Sequence, residues 1–305
     1  MKNKHFALFT WGVLGWNLIV ILWGAYVRAT GSGAGCGRHW PLCDGQVLPR
    51  DPGVEMDIEF THRLLSGIDL LLVAAMLVWG FRVVSKGHPL RKGLAASGFF
   101  IVLEALLGAG LVLFELTTGN SSIARAFAVA LHLANTFLLV ASLALTAYWA
   151  SGGKPVQVKG QAGKAWLLAG GLLGMILIGM SGAVTALGDT LFPAGSLAEG
   201  IAQELDPNAH FLVRLRVYHP IIAVLAAGYS LYAVRLLHAQ SQGPARKLLL
   251  GLMIAGVVQL TAGVVNLALL APIPLQIIHL LTADLTWIIY ILTTAAVLAK
   301  EEFYL

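Results

Sequence analysis

The chain has 305 residues, of which 58% are hydrophobic and only 11% charged, less than half the charge of an average soluble domain. Its mean hydropathy of +0.80 excludes a soluble enzyme, a disordered tail and a nucleic-acid partner. In an apolar chain of this kind, the net charge of +5 reads as basic loops on the cytoplasmic side.

At about 20 apolar residues per crossing, eight spans are expected. In chain order they run Phe6–Val27, Phe60–Val84, Leu94–Leu116, Ala126–Ala150, Ala165–Leu187, Val213–Leu237, Leu248–Ala271 and Gln276–Leu298. The first is too long for the apolar core of a secretory signal and is read as a retained helix. With the N-terminus inside, Lys2, Lys4, Arg82, Lys86, Arg91, Lys92, Lys154, Lys159, Lys164, Arg235, Arg246, Lys247 and Lys300 are internal, 13 of the 20 basic residues. Arg28, Arg38, Arg50, Arg63, Arg125, Arg214 and Arg216 lie outside. This bias predicts that both termini are cytoplasmic and that the two longest loops, about 28–59 and 188–212, are external. Of the acidic residues, Glu301 and Glu302 fall inside, Asp69, Glu104 and Asp284 lie within spans, and the other ten are external.

The sequence repeats. Gly24-Ala25 matches Gly182-Ala183 at an offset of 158, His62 matches His219 at 157, Glu104 matches Gln259 at 155, and His132-Leu133 matches His279-Leu280 at 147. Four spans per half is an even number, so both halves share one orientation, as in parallel transporter repeats. The expected architecture is all-α, with two pseudo-symmetric four-helix bundles over 1–152 and 153–305.

Of nine histidines, four (His62, His132, His219 and His279) fall near the outer ends of the even-numbered spans. For any single one, a hydrogen-bonded core residue is a sufficient reading. Four at matching depth and repeat position instead suggest two bis-imidazole haem sites, His62 with His132 and His219 with His279. Zinc normally requires further Cys, His or carboxylate ligands. Glu59 precedes His62 by three residues, whereas Arg216 stands at the equivalent place before His219. A carboxylate there handles protons or stabilises positive charge, or it is a helix-start acid favoured by the dipole. Arg63, Arg125, Arg214 and Arg216 are candidate propionate contacts, with snorkelling the simpler alternative. Asp69 and Glu104 are read as proton relays or protonated structural carboxyls. The only cysteines, Cys36 and Cys43, lie in the first outer loop, where a bridge can form. Such a bridge would be either purely structural or an exposed, reducible one.

Val27-Arg28-Ala29-Thr30-Gly31-Ser32-Gly33, Cys36, Trp40-Pro41-Leu42-Cys43 and Glu59-Phe60-Thr61-His62-Arg63 together resemble the heme A synthase family, with the eight-span repeat extending the likeness over nearly the whole chain. The resemblance implies an oxidoreductase that converts the ring methyl of heme O to the formyl group of heme A by successive hydroxylations, for cytochrome oxidase. It implies that His62 and His132 bracket the substrate haem, that His219 and His279 ligate a heme b cofactor, and that Glu59 is catalytic. It also implies a disulfide or redox role for Cys36 and Cys43, and a multi-pass place in the cell membrane with their loop extracytoplasmic. Heme O synthase and a membrane electron donor are the implied partners, and a homo-oligomer is left open. Some family members carry a second cysteine pair between spans five and six, and this chain has none. Two other readings stand beside this one. A di-haem b-type cytochrome passing electrons to or from quinone explains the four histidines but not Glu59 or the cysteine loop. A parallel-repeat transporter predicts a protein without bound haem.

Overall fold

The computed structural model describes residues 4–50 and 53–299. Lys2, Asp51, Lys300, Glu301 and Glu302, used above to assign sidedness, lie outside the described residues. The helices are α1 (Lys4–Ala29), α2 (Val54–Val83), α3 (Pro89–Leu113), α4 (Ile123–Ala150), α5 (Ala162–Leu191), α6 (Leu197–Leu205), α7 (Phe211–Leu215), α8 (Tyr218–Gln240), α9 (Gly243–Ala268) and α10 (Ile273–Val297). Eight spans are long and apolar enough to cross a membrane, with α7 and α8 forming one of them. The protein is a multi-pass helical membrane protein, as expected.

The helices start before the apolar runs that announce them, while α2, α3, α9 and α10 end one to three residues short of theirs. At 1.5 Å per residue, the 30 residues of α2 extend about 45 Å, against a hydrocarbon core of about 30 Å. Their extra outer turns carry Glu55, Asp57 and Glu59 in α2 and Asp189 in α5. These charges end a hydropathy window without breaking a helix. Start signals are local: the Ser122 hydroxyl accepts from the Arg125 backbone N–H at 3.2 Å, and Pro89 opens α3, where its missing N–H costs nothing.

Two departures from the expected pattern occur in the second half. The long loop after α5 contains a helix, α6, and the sixth span is broken between α7 and α8. Pro220 explains the break: it cannot donate to the Arg216 carbonyl one turn back. The His219 N–H takes that carbonyl instead, at 3.2 Å. The break falls at Arg216 and Val217, which keep helical dihedrals, one turn before the histidine.

Helices α1–α4 pack together, as do α5, α8, α9 and α10, and α4 and α10 meet between the two groups. At that seam Trp287 stacks on Phe137, with ring centroids 5.1 Å apart, and its indole N–H donates to the Phe137 carbonyl at 2.7 Å. Both rings are buried. Their neighbours in the core include Val13, Met76, Leu139, Leu143 and Ile291. The burial of these rings draws α4 and α10, which carry His132 and His279, into the centre of the molecule.

Candidate functional site

The four repeat-matched histidines share one local construction. Each ring is half-buried, and each has its Cε1 edge toward a glycine on the neighbouring helix. A Cβ at Gly24 of α1 would lie 2.9 Å from His62 Cε1, one at Gly182 of α5 3.0 Å from His219, and one at Gly263 of α9 3.0 Å from His279. At Gly108 of α3 the distance to His132 is 3.9 Å. Gly24 and Gly182 are 158 residues apart, and Gly108 and Gly263 are 155 apart. The glycines therefore repeat with the histidines. At Gly24, Gly182 and Gly263 a side chain would crowd the ring edge, whereas at Gly108 a Cβ would make only an ordinary contact. Within each half the two rings lie in electrostatic range of one another, His62 with His132 and His219 with His279.

The halves differ in what holds the rings. In the second half, His219 Nδ1 shares a hydrogen bond with the Ser181 hydroxyl at 3.1 Å, and His279 Nδ1 lies 3.3 Å from the Gln259 amide nitrogen. In the first half, the Nδ1 atoms of His62 and His132 are buried without a hydrogen-bond partner. Trp23, which occupies the repeat position of Ser181, donates to the Ile58 carbonyl at 3.0 Å instead.

Glu59 is buried at 4% exposure and links the first loop to α2. One carboxylate oxygen accepts the Cys36 backbone N–H at 2.8 Å, and the other accepts Arg63 Nη2 at 2.6 Å and Nε at 3.1 Å. Arg63 donates onward to the carbonyls of His39, Leu42 and Gly37. The loop between these contacts is closed by the Cys36–Cys43 disulfide, whose two residues are 0% and 1% exposed. That burial favours the structural reading of the bridge over the exposed one. Gly35 fits because a Cβ there would meet the Glu55 carbonyl carbon at 2.6 Å, so the loop backbone lies directly on the start of α2.

The charges beside the histidines differ in how they are partnered. Arg216, 6% exposed, donates to Asp189 at 3.0 Å and to Gln203 of α6 at 3.4 Å, with Glu204 at 3.9 Å. Glu204 lies outside the spans, and burial pushes its carboxyl above the usual range while Arg216 pulls it back. Arg125 donates to the Asn120 carbonyl at 2.8 Å, its Nε remaining buried without a partner. Arg214 is exposed. Asp69 accepts from Asn17 at 2.6 Å, and both Asp284 oxygens are buried without a partner.

Arg28 was placed by sequence only at an outer helix end. In the structure it donates to the Ala186 carbonyl at 2.7 Å, the Thr190 hydroxyl at 2.8 Å and the Gln276 carbonyl oxygen at 2.8 Å. One guanidinium thus straps α1 to α5 and α10. A single basic residue at a span end gave no sign of those long-range acceptors. The repeated glycines were legible at Gly24 and Gly182, but their role became visible only with the rings in place.

These features define a polytopic helical membrane protein with a repeated histidine framework near the starts of its even-numbered spans. A family profile described as cytochrome oxidase assembly protein matches residues 7–57 and 53–291. The chain belongs to that family, the family of the heme A synthases. Heme A synthase of Shouchella clausii is 44% identical over 128 residues, 42% of this chain and 40% of that protein. Heme A synthase of Exiguobacterium sp. is 29% identical over 236 residues, 77% of this chain and 74% of that protein. A protoheme IX farnesyltransferase of Thermus thermophilus is 51% identical over 298 residues, 97% of this chain but 49% of that protein. The chain spans about half the length of the Thermus relatives it matches.

Proposed function

We propose that the chain is a heme A synthase, oxidising the ring methyl of heme O to the formyl group of heme A for supply to cytochrome oxidase. The observation that carries this reading is the four-fold histidine-on-glycine construction, with Glu59 in the first half only. In this reading residues 1–152 take the substrate haem between His62 and His132, and residues 153–305 hold a heme b cofactor between His219 and His279. The residues present suit such a group. Ser181 at His219 Nδ1 leaves Nε2 free for iron.

Bound haem supplies the oxidising chemistry. With dioxygen as the oxidant and two electrons and two protons per step from the membrane donor, the methyl carbon would exchange a C–H for a C–OH bond twice, with one water released each time, and the resulting gem-diol would lose a further water to give the aldehyde. The chain's part is to hold the methyl and to manage charge. Glu59 is fixed by Cys36 and Arg63, and it provides a preorganised negative charge where positive charge or a proton develops. Arg125, through its unpartnered Nε, and exposed Arg214 are the propionate contacts. Arg63 and Arg216 hold the loop and α6 in place around them.

The same reading places both termini in the cytoplasm and the Cys36–Cys43 loop on the extracytoplasmic side of the cell membrane. The Thermus relatives are twice as long and are named for transferring a farnesyl group to protohaem. One chain pairing such a half with one like this supports heme O synthase as the neighbouring partner. A membrane electron donor completes the set.

The contact of Glu59 with Arg63 and Cys36 also favours a second reading, the di-haem cytochrome, because it gives Glu59 a structural use. Extracting haems from cells that co-express this chain with a heme O synthase separates the two. Formyl haem that disappears in Glu59→Ala while haem stays bound supports the enzyme. Protohaem and heme O alone, from the wild type, refute it.

A further inference from the structure

Glu104 and Gln259 occupy one repeat position, 155 residues apart, a turn before the glycines that back His132 and His279. The Glu104 carboxylate is held by two donors from α4: Asn135 Nδ2 at 2.5 Å and the Thr136 hydroxyl at 2.5 Å. Asn135 and Thr136 are 4% and 5% exposed and are themselves held by the carbonyls of Phe100 and His132, so the two donors to the carboxylate are fixed in place. Its Oε1 then lies 3.6 Å from His132 Nδ1, an atom that is buried and makes no hydrogen bond. At the matching place the Gln259 amide nitrogen, a donor, lies 3.3 Å from His279 Nδ1 and 3.4 Å from Nε2, while its amide oxygen accepts from the Thr282 hydroxyl.

An imidazole that binds metal through Nε2 carries its proton on Nδ1. The group facing that proton sets the ring's orientation and donor strength. The Glu104 carboxylate can accept from an Nδ1–H and so makes the ring a stronger, more anionic donor, whereas the neutral amide nitrogen of Gln259 offers that proton no acceptor.

We propose that Glu104 is a positioning residue that backs His132 with negative charge, while Gln259 backs His279 with a neutral amide. The first half is thereby built to favour the more oxidised iron. The inference rests on the proposed ligation of haem by these histidines.

The test is a pair of reciprocal substitutions in the full chain with both haems bound, read by potentiometric titration of each haem band. Glu104→Gln shifts the first-half haem to a more positive potential and leaves the other unchanged. Gln259→Glu shifts the second-half haem to a more negative potential. Glu104→Ala, lacking any acceptor, weakens haem binding to the stripped protein at the first site about 10–100-fold, and Glu104→Asp restores part of it. Unchanged potentials in both reciprocal variants, with haem bound, overturn the inference and leave the ligand assignment intact. A His132→Ala protein with both bis-imidazole spectra unaltered overturns the ligand assignment itself, and the inference with it.

Discussion

Replacing Gly24 with alanine tests the histidine-on-glycine construction. The new Cβ would lie 2.9 Å from His62 Cε1 and 3.2 Å from Nε2, whereas non-bonded carbons rest at about 3.5–4.0 Å. The ring must retreat by roughly 0.6–1 Å. Functional groups need placement to about 0.5 Å, and a displacement near 1 Å costs on the order of 100-fold, or about 2.7 kcal/mol. The helix itself gains, since alanine is better than glycine in a helix interior by about 1 kcal/mol. Gly24→Ala should therefore unfold no earlier than wild type on heating in detergent, yet bind haem in the first half about 100-fold more weakly. Gly15→Ala on the same helix, where a Cβ meets nothing within 4 Å, should leave haem binding unchanged. Gly182→Ala should strip the second half instead. A Gly24→Ala protein that keeps both haems with wild-type affinity would refute the reasoning.

Arg28→Ala removes three charged hydrogen bonds between α1 and the second half. It should lower stability by about 2–4 kcal/mol, read as detergent melting, and Arg28→Lys should not restore it because an ammonium cannot reproduce the fork. Cys36→Ser with Cys43→Ser should open the first loop to limited proteolysis between residues 36 and 50, and weaken haem binding in the first half more than the second, because Glu59 holds the loop through the Cys36 N–H. The Glu204 carboxyl is raised by burial, so the folded state binds its proton more tightly than the unfolded chain does. Docking of α6 should therefore strengthen as pH falls through the raised value, level off below the ordinary glutamate value and weaken as pH rises. Amide exchange of α6 followed against pH measures this, and Glu204→Gln should abolish the dependence.

Much of the fold was legible because its cause is local. An apolar run of span length can only be a helix in lipid. Span ends were misjudged where Glu55, Asp57, Glu59 and Asp189 add polar turns to α2 and α5, because hydropathy records polarity rather than helicity. Helix α6 was missed as too short for a span, although Ser196 with Glu199 three residues on is a capping signal. Pro220 carried the information for the break before His219. At the site, the repeat exposed the four histidines, Glu59 and the Glu104/Gln259 difference. The strap made by Arg28 and the Phe137–Trp287 stack join residues 158 and 150 apart in sequence. Periodicity does not encode such contacts.

The central claim is that the first half turns heme O into heme A. The direct measurement is pigment analysis of purified protein supplied with heme O, oxygen and a reductant, comparing wild type with His62→Ala and His219→Ala. The account predicts formyl haem from the wild type and none from His62→Ala, which should retain the second-half haem. His219→Ala should lose that second haem. Heme O recovered unchanged from a wild-type protein carrying both haems would contradict it.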